Sequence, residues 1–280
     1  MAEEQPRAAR HSMQGVGLRF ITGLPLAVGA LALILLAPLW SLGLTASLAA
    51  GLAFYEFKGL ALTGPWRAAD LWALALALAL PWSLLAGYAA GMAGLLLGLV
   101  LIAFGSFLLE RQDLAAAWPA LARRAFGFVY GAGLITCLVF TVLLPQGRYW
   151  LLYLVLTVVA ADVGAYFAGH LWGRHKLAPA ISPGKTVEGV AGGMVLAAAV
   201  GVGLVWLTLP GVDLGRAAGL AAGLALVSVG GDLLESGLKR AAGKKDAGSI
   251  FPGHGGLLDR VDGHLAAAPV FLLVKVLLWP

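Results

Sequence analysis

The chain has 280 residues, 60% of them apolar and 12% charged, with a formal net charge of +5. Soluble domains carry about 25% charged residues, so a water-soluble globule is excluded. The apolar content excludes disorder, and a single cysteine, Cys137, excludes a disulfide scaffold.

A mean hydropathy of +0.90 leaves a polytopic helical membrane protein, and 39 glycines suit helices that pack closely in a bilayer. A spanning helix needs about 20 mostly apolar residues. Runs near that length predict about nine spans, over 20–39, 42–62, 71–89, 91–109, 125–144, 149–171, 187–209, 216–238 and 264–279. The runs are too long for barrel strands and lack their period of two. The first run exceeds a signal-peptide core and is read as a retained helix. The expected fold class is therefore all-α, a polytopic integral membrane bundle. Residues 1–144 form spans 1–5, residues 145–280 form spans 6–9, and no separate soluble domain is expected.

Basic residues set the orientation. Arg7, Arg10 and Arg19 precede the first span. Lys58 and Arg67 end the second, and Arg111, Arg123 and Arg124 follow the fourth. Arg174, Lys176 and Lys185 follow the sixth. Lys239, Arg240, Lys244, Lys245 and Arg260 follow the eighth. The opposite loops hold only Arg148 and Arg216, while Lys275 lies in the last span and can snorkel. The positive-inside rule then gives a cytoplasmic N-terminus and, with nine spans, an external C-terminus in the cell (inner) membrane. A basic cytoplasmic face suits anionic headgroups or an anionic soluble substrate, or only sets topology.

Taken in chain order, the polar features begin with Glu56 and Lys58 at the end of span 2, a site residue or an interface marker. Segment 110–124 reads as an interfacial helix or a polar connector. Asp162 lies in the middle of span 6 and needs a partner or a wet cavity. Ser182-Pro183-Gly184-Lys185-Thr186 follows it. A Walker A loop would need glycine at 179, where Pro179 stands. Gly-Lys-Thr before a helix either holds a phosphate at the helix N-terminus or leaves Thr186 as a cap.

Asp232 and Glu235 share a helix face on span 8, and Asp259 and Asp262 repeat the spacing before span 9. Two such pairs either converge on a hard cation or are loop charges paired with Arg240 and Arg260. Between them run Lys239, Arg240, Lys244, Lys245 and Asp246, then Pro252-Gly253-His254-Gly255-Gly256. Basic side chains neutralise phosphate, and a glycine-rich stretch brings backbone N–H groups to it. His254 either donates to a phosphate or orders the glycine turn. Together these features point to metal-assisted handling of a polyphosphate.

The residues from Ser236 to Asp262, with Lys239-Arg240, Lys245-Asp246 and Phe251-Pro252-Gly253-His254-Gly255-Gly256-Leu257-Leu258-Asp259-Arg260-Val261-Asp262, resemble the signature of the phosphatidate cytidylyltransferases, or CDP-diacylglycerol synthases. A second block, from Asp162 through His175 to Glu188, resembles the same family. The likeness covers about residues 155–264. Val163, His170, Ala247 and Gly263 depart from the family's usual residues, and none of these removes a charged member of the signature.

The resemblance implies transfer of a cytidylyl group from CTP to phosphatidate in phospholipid biosynthesis, with pyrophosphate as co-product. It implies Mg²⁺ at one or two metal positions, membrane lipids around the protein, and a homodimer. It makes Asp232 and Asp259 the principal metal ligands, with Asp262 and Glu235 as further candidates. Asp232, Asp259, Asp246 and Lys239 are the expected catalytic residues. Ser182, Lys185, Thr186, Ser236, Arg240, Lys245, His254 and Arg260 are the expected substrate-binding residues. No nucleic-acid partner is expected. Alternatives are a cytidylyltransferase for another lipid phosphate and a transporter of an anionic substrate. The D-x2-D-G-x2-A-R pattern of CDP-alcohol phosphotransferases is absent, since Asp262-Gly263 is followed by His264-Leu265-Ala266-Ala267.

Overall fold

A computed structural model describes residues 25, 28–62, 64–110, 113–250 and 255–278. The chain is a helical bundle. A short helix α1 covers 28–36, followed by α2 (Leu39–Ala61) and α3 (Ala68–Ala79), which runs into a 3₁₀ segment Leu80–Ala86. Helix α4 spans Tyr88–Leu109 and α5 Leu114–Gly127. A π-helical segment Phe128–Gly133 and α6 (Leu134–Phe140) continue α5. Then come α7 (Gly147–Trp172), a hairpin of β1 (Lys176–Ala178) and β2 (Ser182–Thr186), α8 (Val187–Thr208), α9 (Leu214–Ala241) and α10 (Leu258–Leu278).

Among the described residues, five helical runs are long and apolar enough to cross a membrane: Tyr88–Leu109, Leu114–Leu143, Gly147–Trp172, Val187–Thr208 and Leu214–Ala241. This makes the chain an all-α integral membrane protein. Helices α2 and α10, at 23 and 21 residues, reach the spanning length of about 20 and carry charged residues of the site. The structure differs from the sequence expectation over 71–89. There the helix stops at Ala79 and a 3₁₀ turn follows. Pro81 cannot donate its i−4 hydrogen bond, and Gly87 takes a φ of +90°. The polar segment 110–124 is no separate element either. Leu114–Leu143 is one continuous helical run.

Local sequence fixes several helix starts. Asp113 accepts from the Ala116 amide at 3.0 Å, Thr186 from Gly189 at 3.1 Å and Asp213 from Arg216 at 2.7 Å. Each is an N-cap that satisfies an orphan donor. The expected loop 172–186 instead contains the antiparallel hairpin, with Lys176 opposite Thr186 and Ala178 opposite Ser182.

Two apolar cores meet at α10. Ala53, Phe54, Phe57, Phe128, Tyr130, Leu258 and Leu265 form one. Trp150, Tyr153, Leu154, Leu224 and Phe271 belong to the other. Helices α7 and α8 touch backbone to backbone. A Cβ at Gly164 would lie 2.6 Å from the Gly192 carbonyl oxygen, and one at Gly193 2.6 Å from that of Ala161. Only small residues allow such an approach between membrane helices.

Two buried polar joints tie elements together. Arg124 is 1% exposed and binds Asp70 of α3 at 2.7 Å and Glu110 after α4 at 2.8 Å on each of two nitrogens. Glu56 of α2 is 2% exposed and accepts from the amides of Leu257 and Leu258, both at 2.9 Å. These are N-terminal donors of α10, which otherwise lack an intrahelical partner.

Three outcomes follow from these joints. Glu56→Ala removes charge-assisted hydrogen bonds worth about 1.5–3 kcal/mol each. Hydrogen exchange at the Leu257 and Leu258 amides should accelerate by roughly 10-fold or more, while exchange in α7 stays unchanged. Arg124→Met leaves buried Asp70 without its charged partner and Glu110 with Arg67 alone, a loss of about 3–5 kcal/mol, read as a lower thermal midpoint in detergent. The Arg124 hydrogen bond holds the Glu110 carboxyl below the usual carboxylate range. Because the folded value is depressed, this stabilisation is complete above the unfolded value and is lost as pH falls through the folded one. The midpoint should fall below about pH 4, and fall less steeply in Glu110→Gln.

Candidate active site

One face of α9 presents Asp232, Glu235, Ser236 and Lys239, because residues three, four and seven apart stack on one side of a helix. The first two turns of α10 present Asp259 and Asp262 by the same rule. The two helices approach closely at Gly231, where a Cβ would sit 2.5 Å from the Asp262 carbonyl oxygen. That approach places Asp262 beside Asp232 and Glu235. Ligand atoms from these three carboxylates all lie within 4.8 Å of one another.

Two lysines partly balance the acids. Lys185 Nζ, from β2, lies 2.7 Å from Asp232 Oδ2, and Ser236 Oγ donates to Asp232 Oδ1 at 3.1 Å. Lys239 Nζ pairs with Glu235 Oε2 and lies 2.6 Å from Asp259 Oδ1. Asp259 Oδ2 accepts from the Ala247 amide at 2.9 Å and the Gly256 amide at 2.8 Å. Gly255 makes that turn with a φ of +79°, and a Cβ there would strike Asp259 Oδ2. Asp262 Oδ1 accepts from the Gly263 amide at 2.8 Å. Glu235 is fully buried, and among the described residues its Oε1 has no hydrogen-bond partner. Asp162 of α7 is within electrostatic reach of Asp232 and Asp262.

A cleft of about 390 Å³ opens beside this cluster, bounded by Asp162, Tyr166, Ser182, Lys185, Thr186 and Asp232. A larger cavity of about 710 Å³ lies at the ends of α2 and α9, with Lys58, Arg123 and Lys244 in its wall. Its lysines cap carbonyls: Lys58 donates to Gly64 at 2.6 Å and Lys244 to Gly59 at 2.8 Å. The acidic groups that a reaction on phosphate needs stand at the smaller cleft.

The sequence reading pairs Asp232 with Asp259. The structure groups Asp232 with Glu235 and Asp262, and joins Asp259 to them through Lys239. The acids are balanced by Lys185 and Lys239 rather than by Arg240. Arg240, Lys245 and Asp246 are exposed around the turn after α9, and Arg260 is exposed on α10. Thr186 caps α8, and Ser182 lines the cleft. His254 lies outside the described residues. Sequence reasoning left Glu56 open between a site residue and an interface marker, since nothing near it in the chain names its partners. It passed over Tyr130 entirely. Tyr130 is 3% exposed, its hydroxyl has no partner among the described residues, and no charge pattern advertises it.

Three carboxylates this close, one of them buried with an unpartnered oxygen, fit a hard cation that takes oxygen ligands. With lysines alongside, the arrangement can bring a polyphosphate to a cation beside the lipid.

Comparison with known proteins gives the family. The phosphatidate cytidylyltransferase of Staphylococcus aureus (strain COL) is 39% identical over 131 residues, 47% of this chain and 50% of the relative. That of Haemophilus influenzae is 44% identical over 130 residues, 45% of each chain. That of Staphylococcus haemolyticus is 34% identical over 165 residues, 59% of this chain and 60% of the relative. The chain thus matches about half the length of these curated relatives. The match to the family profile is far longer, running from residue 17 to residue 278, and by it the chain belongs to the cytidylyltransferase family.

Proposed function

We propose that the protein transfers the cytidylyl group of CTP to phosphatidate, giving CDP-diacylglycerol and pyrophosphate. The observation that carries this reading is the carboxylate cluster of Asp232, Glu235 and Asp262 flanked by Lys185 and Lys239. The names of the relatives support the choice of substrates.

The reaction joins two anions. An oxygen of the phosphatidate phosphate bonds to the α-phosphorus of CTP, and the bond from that phosphorus to the bridging oxygen of pyrophosphate breaks. Phosphatidate arrives ionised, so no strong side-chain base is required. Asp232, Glu235 and Asp262 would hold Mg²⁺, which when bound neutralises triphosphate charge and stabilises the leaving pyrophosphate. Lys185 stands at the cleft mouth on β2, where its ammonium can exchange Asp232 for a phosphate oxygen. Lys239 stands between Glu235 and Asp259 and pairs with both. Asp259, with its oxygens on Lys239 and on the amides of Ala247 and Gly256, serves the cluster through Lys239. Lipid tails stay in the bilayer while the headgroup reaches the ends of α7, α9 and α10. The reading further includes nine spans, a cytoplasmic N-terminus, a site at the cytoplasmic face and a homodimer. The distribution of basic residues supports the orientation.

The test is a membrane assay with radiolabelled CTP and defined lipid phosphates. Asp232→Asn and Asp262→Asn should each cut product formation by at least about 100-fold, as removal of a metal-holding carboxylate does to electrostatic stabilisation. Their double variant should be little worse than either alone, since the residues act as a unit. Lys185→Ala should cost about 10- to 150-fold, the value of one charge-assisted hydrogen bond. All variants should remain monodisperse in detergent. Near-normal rates in both aspartate variants would overturn the reading. Product from another lipid phosphate but not phosphatidate would change the substrate. In a Cys137→Ala background, Ser249→Cys, at an exposed position, should react with impermeant thiol reagents only from the cytoplasmic side.

A further inference from the structure

Two buried polar groups, one from each half of the chain, lack partners among the described residues, and they belong to one place. One is Oε1 of Glu235, on α9. The other is the hydroxyl of Tyr130, on the π-helical segment Phe128–Gly133. Tyr130 shares one apolar core with Leu258, Val261 and Leu265 of α10, the helix that carries Asp259 and Asp262, and it lies within electrostatic reach of those acids, Asp232 and Glu235.

The position of Tyr130 is built. A π turn inserts an extra residue and redirects side chains, and such turns occur often at functional sites. The segment packs on α2. A Cβ at Gly131 would lie 3.2 Å from that of Ala53, and one at Gly127 would strike the Phe57 ring. The Tyr130 ring stacks on Phe126 at 5.7 Å and leans on Phe57 at 6.3 Å. The ring is fixed and the hydroxyl is out of bulk water. A buried hydroxyl without a partner is unfavourable, and native structures keep few of them. Neither group has a partner among the described residues, which leaves both open to a ligand at the acidic cluster.

We propose that Tyr130 is a binding residue of this site. Its hydroxyl donates a hydrogen bond to an oxygen held by the cation that Asp232, Glu235 and Asp262 bind. That oxygen belongs to a cation-bound water before nucleotide enters, or to a phosphate of the nucleotide afterwards. The assignment rests on the cation-binding part of the proposed function. It adds a contribution from the N-terminal half to a site otherwise built from the C-terminal half.

The test uses the full-length protein in detergent and Mn²⁺ as a spectroscopic probe. Wild type and Tyr130→Phe are titrated with Mn²⁺ alone, and then with Mn²⁺ plus CTP, by electron paramagnetic resonance. The phenyl ring keeps the stack on Phe126. Loss of an unpartnered hydroxyl should therefore leave the metal-free thermal midpoint equal to wild type or slightly higher. If the partner is bound water, Tyr130→Phe should weaken Mn²⁺ alone by roughly 2- to 13-fold, the range for one hydrogen bond. If the partner is a phosphate oxygen, Mn²⁺ alone should bind normally, and the loss should appear with CTP and as a higher KM for CTP. Either result supports the assignment. Wild-type affinity in both arms, with unchanged kcat and KM, would overturn it while leaving the cluster intact. A wild-type protein that binds no Mn²⁺ in either arm would overturn the cation reading and this assignment together. A metal-free midpoint that falls by several degrees would show a structural hydroxyl and would also overturn it.

Discussion

A carboxylate taken out of water persists only where donors surround it. Glu56 meets this condition through the amides of Leu257 and Leu258. Gly248 and Gly256 leave room for it; a Cβ at either would come within 2.5 Å of Glu56 Oε1. From that contact the order of the site unfolds. The start of α10 is fixed, so its first turn has one orientation, and Asp259 and Asp262 face α9. Asp259 then gathers Lys239, Ala247 and Gly256. A residue from the second helix of the bundle therefore sets the register of the last, and the separation in sequence is about 200 positions.

Electrostatics explains why the lysines stand where they do. Asp232, Glu235, Asp259 and Asp262 converge at the end of an apolar bundle, where unscreened like charges repel strongly. Lys185 and Lys239 offset part of that repulsion and each touches at least one acid. Acidic charge still exceeds basic charge in the cluster. On the proposed function, the cation offsets this excess and the anionic nucleotide follows it. The lysines alone would bind phosphate poorly, because their charge is already engaged.

Much of this was legible in the chain. Composition and run length identify the membrane class, since apolar length is a direct consequence of bilayer thickness. The i, i+3 spacing of Asp232 with Glu235, and of Asp259 with Asp262, puts each pair on a face. Thr186 as a cap follows from its place before an apolar run. What sequence could not reveal was which acid faces which. Asp259 and Asp262 differ by three residues, and the close approach at Gly231 decides that Asp262 meets Asp232. The break at Leu80 was hidden by the hydropathy of residues 71–89, although Pro81 and Gly87 carry the signal. Glu56 and Tyr130 were illegible because their significance lies in neighbours far along the chain. One needed α10 to arrive, and the other needed a π turn that leaves no mark in composition.

The backbone contact between α7 and α8 has a mechanical consequence. With Gly164 against Gly192 and Gly193 against Ala161, there is no side-chain layer to compress or slide. The two helices and the hairpin joining them form a stiff unit, from which Asp162 and Lys185 both line one cleft. Bending this unit would break many close contacts at once. The spacing of Asp162 and Lys185 across the cleft is therefore set by backbone contact rather than by a compressible layer of side chains.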